Sequence, residues 1–110
     1  MLFSITLHYL QSSEELKLHA DAHKQWISES IRTGNIIFAG PVNDGSGGYI
    51  LAQYANETDL TRSLSADPFV SFGLVETEFR AVTAAICAEP FARQWAADSK
   101  AILVNPDSSH

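Results

Sequence analysis

A single cysteine, Cys87, rules out an intrachain disulfide and fits a chain that folds in a reducing compartment. Cations are scarce: seven Lys and Arg stand against thirteen Asp and Glu, for a formal net charge of −6. The few cations are scattered, so nucleic acid is excluded as an expected partner, because phosphate backbones bind clustered Lys and Arg. No apolar run approaches the ~20 residues of a membrane span. The N-terminal Met-Leu-Phe-Ser-Ile-Thr-Leu lacks the basic flank and long apolar stretch of a signal peptide. Repeats and low-complexity segments are also missing. These absences make the cytoplasm the expected compartment.

What is present is ordinary for a folded protein. Hydrophobic residues make up 45% of the 110 positions and charged residues 18%, which suits one globular domain. So short a chain has an unfavourable surface-to-volume ratio, and pairing with a second copy is a common remedy.

Residues 2–9 alternate, with Phe3, Ile5, Leu7 and Tyr9 on one face and Ser4, Thr6 and His8 on the other. That period of two predicts a strand. Ser12 and Glu15 have the spacing of a capping box, and Gly34 supplies a stop, so a helix is expected between them, to about Thr33. Residues 35–40 and 49–55 read as a strand pair. Pro41 ends the first strand, and the turn between them contains Asn43-Asp44-Gly45 and Gly47-Gly48. Asn56 or Thr58 caps a second helix running to about Ala66, which Asp67-Pro68 closes. A turn over 69–73 leads into a fourth strand from about Val75 to Ala84. The order β-α-β-β-α-β predicts an α+β, ferredoxin-like domain over residues 1–85. Its four-stranded antiparallel sheet would carry both helices on one face. Residues 86–110 are expected to be an extension that packs on the domain or on a partner copy. Glu89-Pro90 interrupts it, Ala101–Val104 suits a short strand, and its end reads as a loose tail.

The first helix holds the most informative pattern. Leu16, Ala20, Ile27 and Ile31 form an apolar stripe, with His23 in its middle and His19 at its edge near Trp26. An inward histidine needs partners for its ring nitrogens. Leu60 and Leu64 define the inner face of the second helix, and Asp67 continues it. His23 and Asp67 are therefore expected to meet between the helices as an acid/base pair. Set against this is a purely structural reading, a satisfied core histidine and a helix-stop Asp-Pro.

The ordered set His23, Gly34, Ala39-Gly40-Pro41, Gly48, Asp67-Pro68-Phe69 and Gly73 resembles the YCII-related family over about residues 1–80. The resemblance implies a ferredoxin-like fold assembled into a dimeric α+β barrel. It also implies a His/Asp centre, carried over here to His23 and Asp67. Some members are small lyases or isomerases acting on ring compounds. The chain departs from the shorter members after the fourth strand. They end soon after a Pro-Phe pair, whereas Pro90-Phe91 here comes later and is followed by about twenty residues.

The leading expectation is a homodimeric enzyme that moves a proton on a small aromatic or enolic metabolite without a cofactor. Asp67 orients His23, or takes the proton itself while His23 polarises the substrate. Trp26, Phe69 and Phe72 are the candidate apolar walls, and Arg80 is the candidate anchor for an anionic group. The rival is a non-catalytic dimeric module that binds a small molecule or assists another enzyme. His19 and His23 have the i, i+4 spacing of a helix metal site, but no metal is expected: the spacing reads as one inner and one flanking histidine. Gly45-Ser46-Gly47-Gly48 lies between strands rather than before a helix and reads as a hairpin turn, not a phosphate loop. Cys87 reads as a small buried hydrophobe.

Overall fold

The computed structural model describes residues 1–106. Alternation makes β1 (Leu2–Tyr9), and Phe3, Ile5 and Leu7 are each only 1% exposed. The helix α1 (Ser13–Arg32) begins at Ser12, whose hydroxyl accepts from the Glu15 N–H at 3.3 Å. It ends where Gly34 takes φ +84°, a left-handed conformation that glycine adopts without strain. Two strands follow, β2 (Ile36–Pro41) and β3 (Gly47–Gln53), then α2 (Glu57–Leu64), capped by the Asn56 side chain. A short helix α3 (Pro68–Ser71) precedes β4 (Val75–Val82).

The sheet runs β2-β3-β1-β4, all neighbours antiparallel. This is the βαββαβ order expected from the sequence. Register sorts the side chains. Phe3, Ile5 and Leu7 lie opposite Ala52, Ile50 and Gly48 on one side and Ala81, Phe79 and Thr77 on the other. Their shared face carries the core, which Leu60 and Leu64 of α2 and Phe69 of α3 complete. Leu16, Ala20, Trp26 and Ile27 of α1 pack against it. The opposite face carries Leu2, Ser4, Thr6 and His8 beside Leu51, Arg80 and Val82, and no helix of the domain covers it. Gly47 is where the chain must be thin: a Cβ there would run into the carbonyl oxygen of Leu7.

Five expectations need correction. Ile31 does not belong to the buried stripe: it is 46% exposed, and Ser30 is the buried residue of that last turn. The heptad-like step drifts across a 20-residue helix, so a stripe drawn from its first turns misses the last. Pro41 is the last residue of β2, not its stop, because proline is tolerated on the sheet's edge strand. The turn over 69–73 contains α3, started by Pro68 with its preset φ. Pro90 likewise does not interrupt the extension; it sits in the first turn of α4 (Glu89–Trp95). The helix α4 joins β5 (Ile86–Ala88) to β6 (Lys100–Ile102) in a two-stranded parallel sheet. Cys87 is only partly buried, with its sulfur 3.1 Å from the Ser99 hydroxyl. The loose tail expected at the end of the chain falls in part on residues 107–110, outside the described residues.

Candidate functional site

Asp67 owes its place to Pro68. A residue before proline avoids the helical region, and Asp67 is extended, at φ −69° and ψ 125°. It is the N-cap of α3, with Oδ1 accepting from the Phe69 N–H at 3.1 Å. It therefore does not continue the inner face of α2, which ends three residues earlier at Leu64. The carboxylate is fully buried.

The same Oδ1 lies 2.7 Å from Nδ1 of His23, which comes from the middle of α1. The two residues thus meet between α1 and α3. An ionised carboxylate only accepts hydrogen bonds, so the pairing assigns the Nδ1 proton to His23 as donor. The imidazole is fixed on a second side too. It stacks on Phe69 with centroids 3.8 Å apart and planes 4° from parallel. The Trp26 ring lies 6.4 Å away. Phe69 is held in turn by an edge contact with Tyr9. Nε2 of His23 has no protein partner among the described residues, and the side chain is 14% exposed. Asp67 Oδ2 is buried with no protein hydrogen bond among them.

His23 opens onto a cavity of about 550 Å³ between α1 and the sheet. Phe69, Tyr9 and Leu7 wall it on one side, and Ala39, Gly40, Pro41, Gly48 and Ile50 form its floor. From α1 come Ala20, Lys24, Ile27 and Ser28 besides His23. Asp67 lies behind the imidazole rather than on the cavity wall. A ring with one nitrogen anchored to a buried carboxylate and the other free beside an apolar cavity can shuttle a proton.

Of the expected site residues, the fold brings together His23, Asp67 and Phe69, with Trp26 packed behind them. It does not bring Phe72 or Arg80 to the cavity. Phe72 is 63% exposed and stacks on His19 at 4.3 Å, away from the lining. It caps the end of a four-residue helix and so turns outward. Arg80 stands opposite Ser4 on the uncovered sheet face, because even positions of β4 point away from the helices. Sequence reasoning missed Lys24, Ser28, Tyr9 and the gap in the floor at Gly48. Lys24 and Ser28 follow the stripe residue Ala20 by four and eight positions, so the helix period carried that signal.

No protein-family model matches the sequence, and no curated protein matches it. Among solved structures, the chain is similar to the 5-chloro-2-hydroxyhydroquinone dehydrochlorinase of Burkholderia phenoliruptrix AC1100, in complex with 2,5-dihydroxybenzoquinone. The TM-score is 0.66 at 19% identity, covering 76% of this chain and 94% of that one. At that identity the likeness is one of fold. Among the described residues, no helix is long and apolar enough to cross a membrane.

Proposed function

We propose that this chain is a small acid/base enzyme of the YCII-related family, with His23 as the proton carrier and Asp67 as its positioning partner. The carrying observation is the 2.7 Å hydrogen bond from Nδ1 of His23, a residue that lines the cavity, to a fully buried carboxylate. Nε2 takes a proton from a substrate O–H or C–H; in an isomerisation it returns that proton to another atom of the same molecule, and in an elimination the electron pair left behind expels the leaving group as its anion while the proton passes to solvent. Asp67 fixes the tautomer and holds the ring in place while Nε2 carries the proton. The cavity's size and apolar floor suit a small ring compound, and the reaction class is elimination or isomerisation. The dehydrochlorinase likeness supports that class through fold analogy.

The homodimer belongs to the same proposal. The uncovered sheet face carries Phe38 at 52% exposure and Val82 at 42%, with Leu51 partly exposed between strands, an apolar band that a second sheet would cover. Residues 86–110 belong with it as an extension of the domain that packs on it or on the partner copy. The cytoplasm is the compartment that a single partly buried thiol suits.

The test is deuterium exchange, followed by NMR in D₂O, of polyhydroxylated rings and enolisable ring ketones. Wild-type protein accelerates exchange of at least one compound; His23→Ala and Asp67→Asn lose that acceleration while staying folded. A compound that binds in the cavity but exchanges no faster, with binding indifferent to both substitutions, favours the non-catalytic binding module instead.

A further inference from the structure

The cavity beside His23 has a charge pattern that the rest of the molecule does not share. The chain holds thirteen Asp and Glu for a net charge of −6, yet no acidic residue lines the cavity. The permanently charged group on its wall is a cation, Lys24. Lys24 is exposed, so it stands at the mouth rather than the floor. Its ammonium is in none of the ion pairs among the described residues, whereas Arg32, Arg62 and Arg93 each meet a carboxylate on their own helix. The carboxylate closest to the chemistry, Asp67, is turned to His23 and Phe69 behind the wall. An anion entering this cavity meets one unneutralised cation and no opposing carboxylate.

Shape narrows the class. Gly48 leaves a gap in the sheet floor between Leu7 and Pro41, and a Cβ there would meet nothing nearer than the Gly40 carbonyl oxygen at 3.7 Å. Phe69 and Tyr9 supply flat walls. A gap in the floor beside an aromatic wall suits a flat ring.

We infer that the substrate is a planar ring compound carrying negative charge at neutral pH (an enolate, phenolate or ring carboxylate), with Lys24 binding that charge at the cavity mouth. The inference rests on the reading of His23 as the reacting group in this cavity and adds to it the substrate's charge and shape. Lys24, one position along α1 from His23, then orients the ring so that its reacting atom faces Nε2.

The experiment is calorimetric titration with two rings of one size at pH 7. One is 2,5-dihydroxybenzoquinone, whose enolic hydroxyls ionise below neutrality; the other is hydroquinone, which is uncharged there. Wild-type protein should prefer the anion. Lys24→Gln should weaken anion binding about 3- to 10-fold and Lys24→Glu about 10-fold or more, while hydroquinone affinity moves less than about 2-fold. Lys24→Arg should recover most of the loss, and about 0.5 M salt should shrink the wild-type preference. Equal anion affinity in wild type and Lys24→Glu overturns the inference. So does a wild-type protein that prefers hydroquinone, or that takes neither ring at about millimolar concentration. The two readings fail separately. Lys24-dependent anion binding without His23-dependent proton exchange sinks only the acid/base reading. His23-dependent exchange with Lys24-indifferent binding sinks only this one.

Discussion

Two histidine–carboxylate pairs stand on opposite faces of one sheet. His23–Asp67 closes at 2.7 Å and His8–Glu78 at 3.0 Å, so geometry alone hardly separates them. Burial does. The inner pair is 14% and 0% exposed; the outer pair is 47% and 59% exposed. Water competes for both partners of the outer pair and screens their attraction, so it contributes little and dictates no tautomer. In the inner pair the carboxylate is cut off from bulk solvent, and Phe69 holds the ring against rotation. The same two chemical groups are a surface contact in one place and a candidate proton relay in the other.

The sharpest way to break this comparison is to delete each histidine. His23→Ala should lower the proton-transfer rate about 10²- to 10⁴-fold, the usual worth of a positioned acid/base group. His8→Ala should leave that rate unchanged within error. Equal losses, read from initial rates on one substrate, would show that burial is not what separates the pairs.

The next largest effect is on stability. Asp67→Ala removes the α3 cap and leaves His23 Nδ1 without its acceptor, so urea unfolding should show a loss of ~2–4 kcal/mol. Asp67→Asn keeps the capping oxygen and should cost about 1 kcal/mol, yet it should reduce the rate nearly as much as His23→Ala. Similar stability losses for both variants would mean that the charge, not the cap, holds α3.

Access is the third lever. Gly48→Leu has room for its Cβ and would project the side chain into the cavity. It should weaken ring binding about 10-fold or more while leaving the fold intact by circular dichroism. Unchanged binding would place the ligand elsewhere.

The smallest effect belongs to the outer pair. The hydrogen bond from His8, with its nearby charge, holds the Glu78 carboxyl below its ordinary value of 4.5. A lowered carboxyl contributes stability at neutral pH and loses it as pH falls through the acid range below 4.5. Because both partners are exposed, Glu78→Gln should lower the melting temperature near neutrality only slightly. Any difference from wild type should vanish in acid and in high salt.

Much of this contrast is legible in the chain. Alternation over residues 2–9, the Ser12 cap, Gly34 and the Asp-Pro stop are local rules, and each element formed where they pointed. The helix period set His23 inward among Leu16, Ala20 and Ile27. Those rules fade where proline has two meanings. Pro68 and Pro90 end one segment and begin the next, so α3 and α4 read as a turn and an interruption. Phe72 and Arg80 went astray for another reason. Apolar character and charge say what a residue can bind, but not which side of a backbone it leaves by.

Local preference, then, is what the sequence determined by itself: the six elements of the βαββαβ order, their caps, and the inward face that carries His23. Backbone sterics and side-chain capping act within a few residues and need no partner. Only the tertiary structure decided that the carboxylate 44 positions away meets that imidazole, with one oxygen shared between His23 and the α3 cap. It also decided that Lys24, rather than Arg80, stands at the cavity. Strand register and helix docking are long-range choices. They follow from burying Phe3, Ile5, Leu7, Ile50 and Leu60 together, a sum over the whole core that no single segment carries.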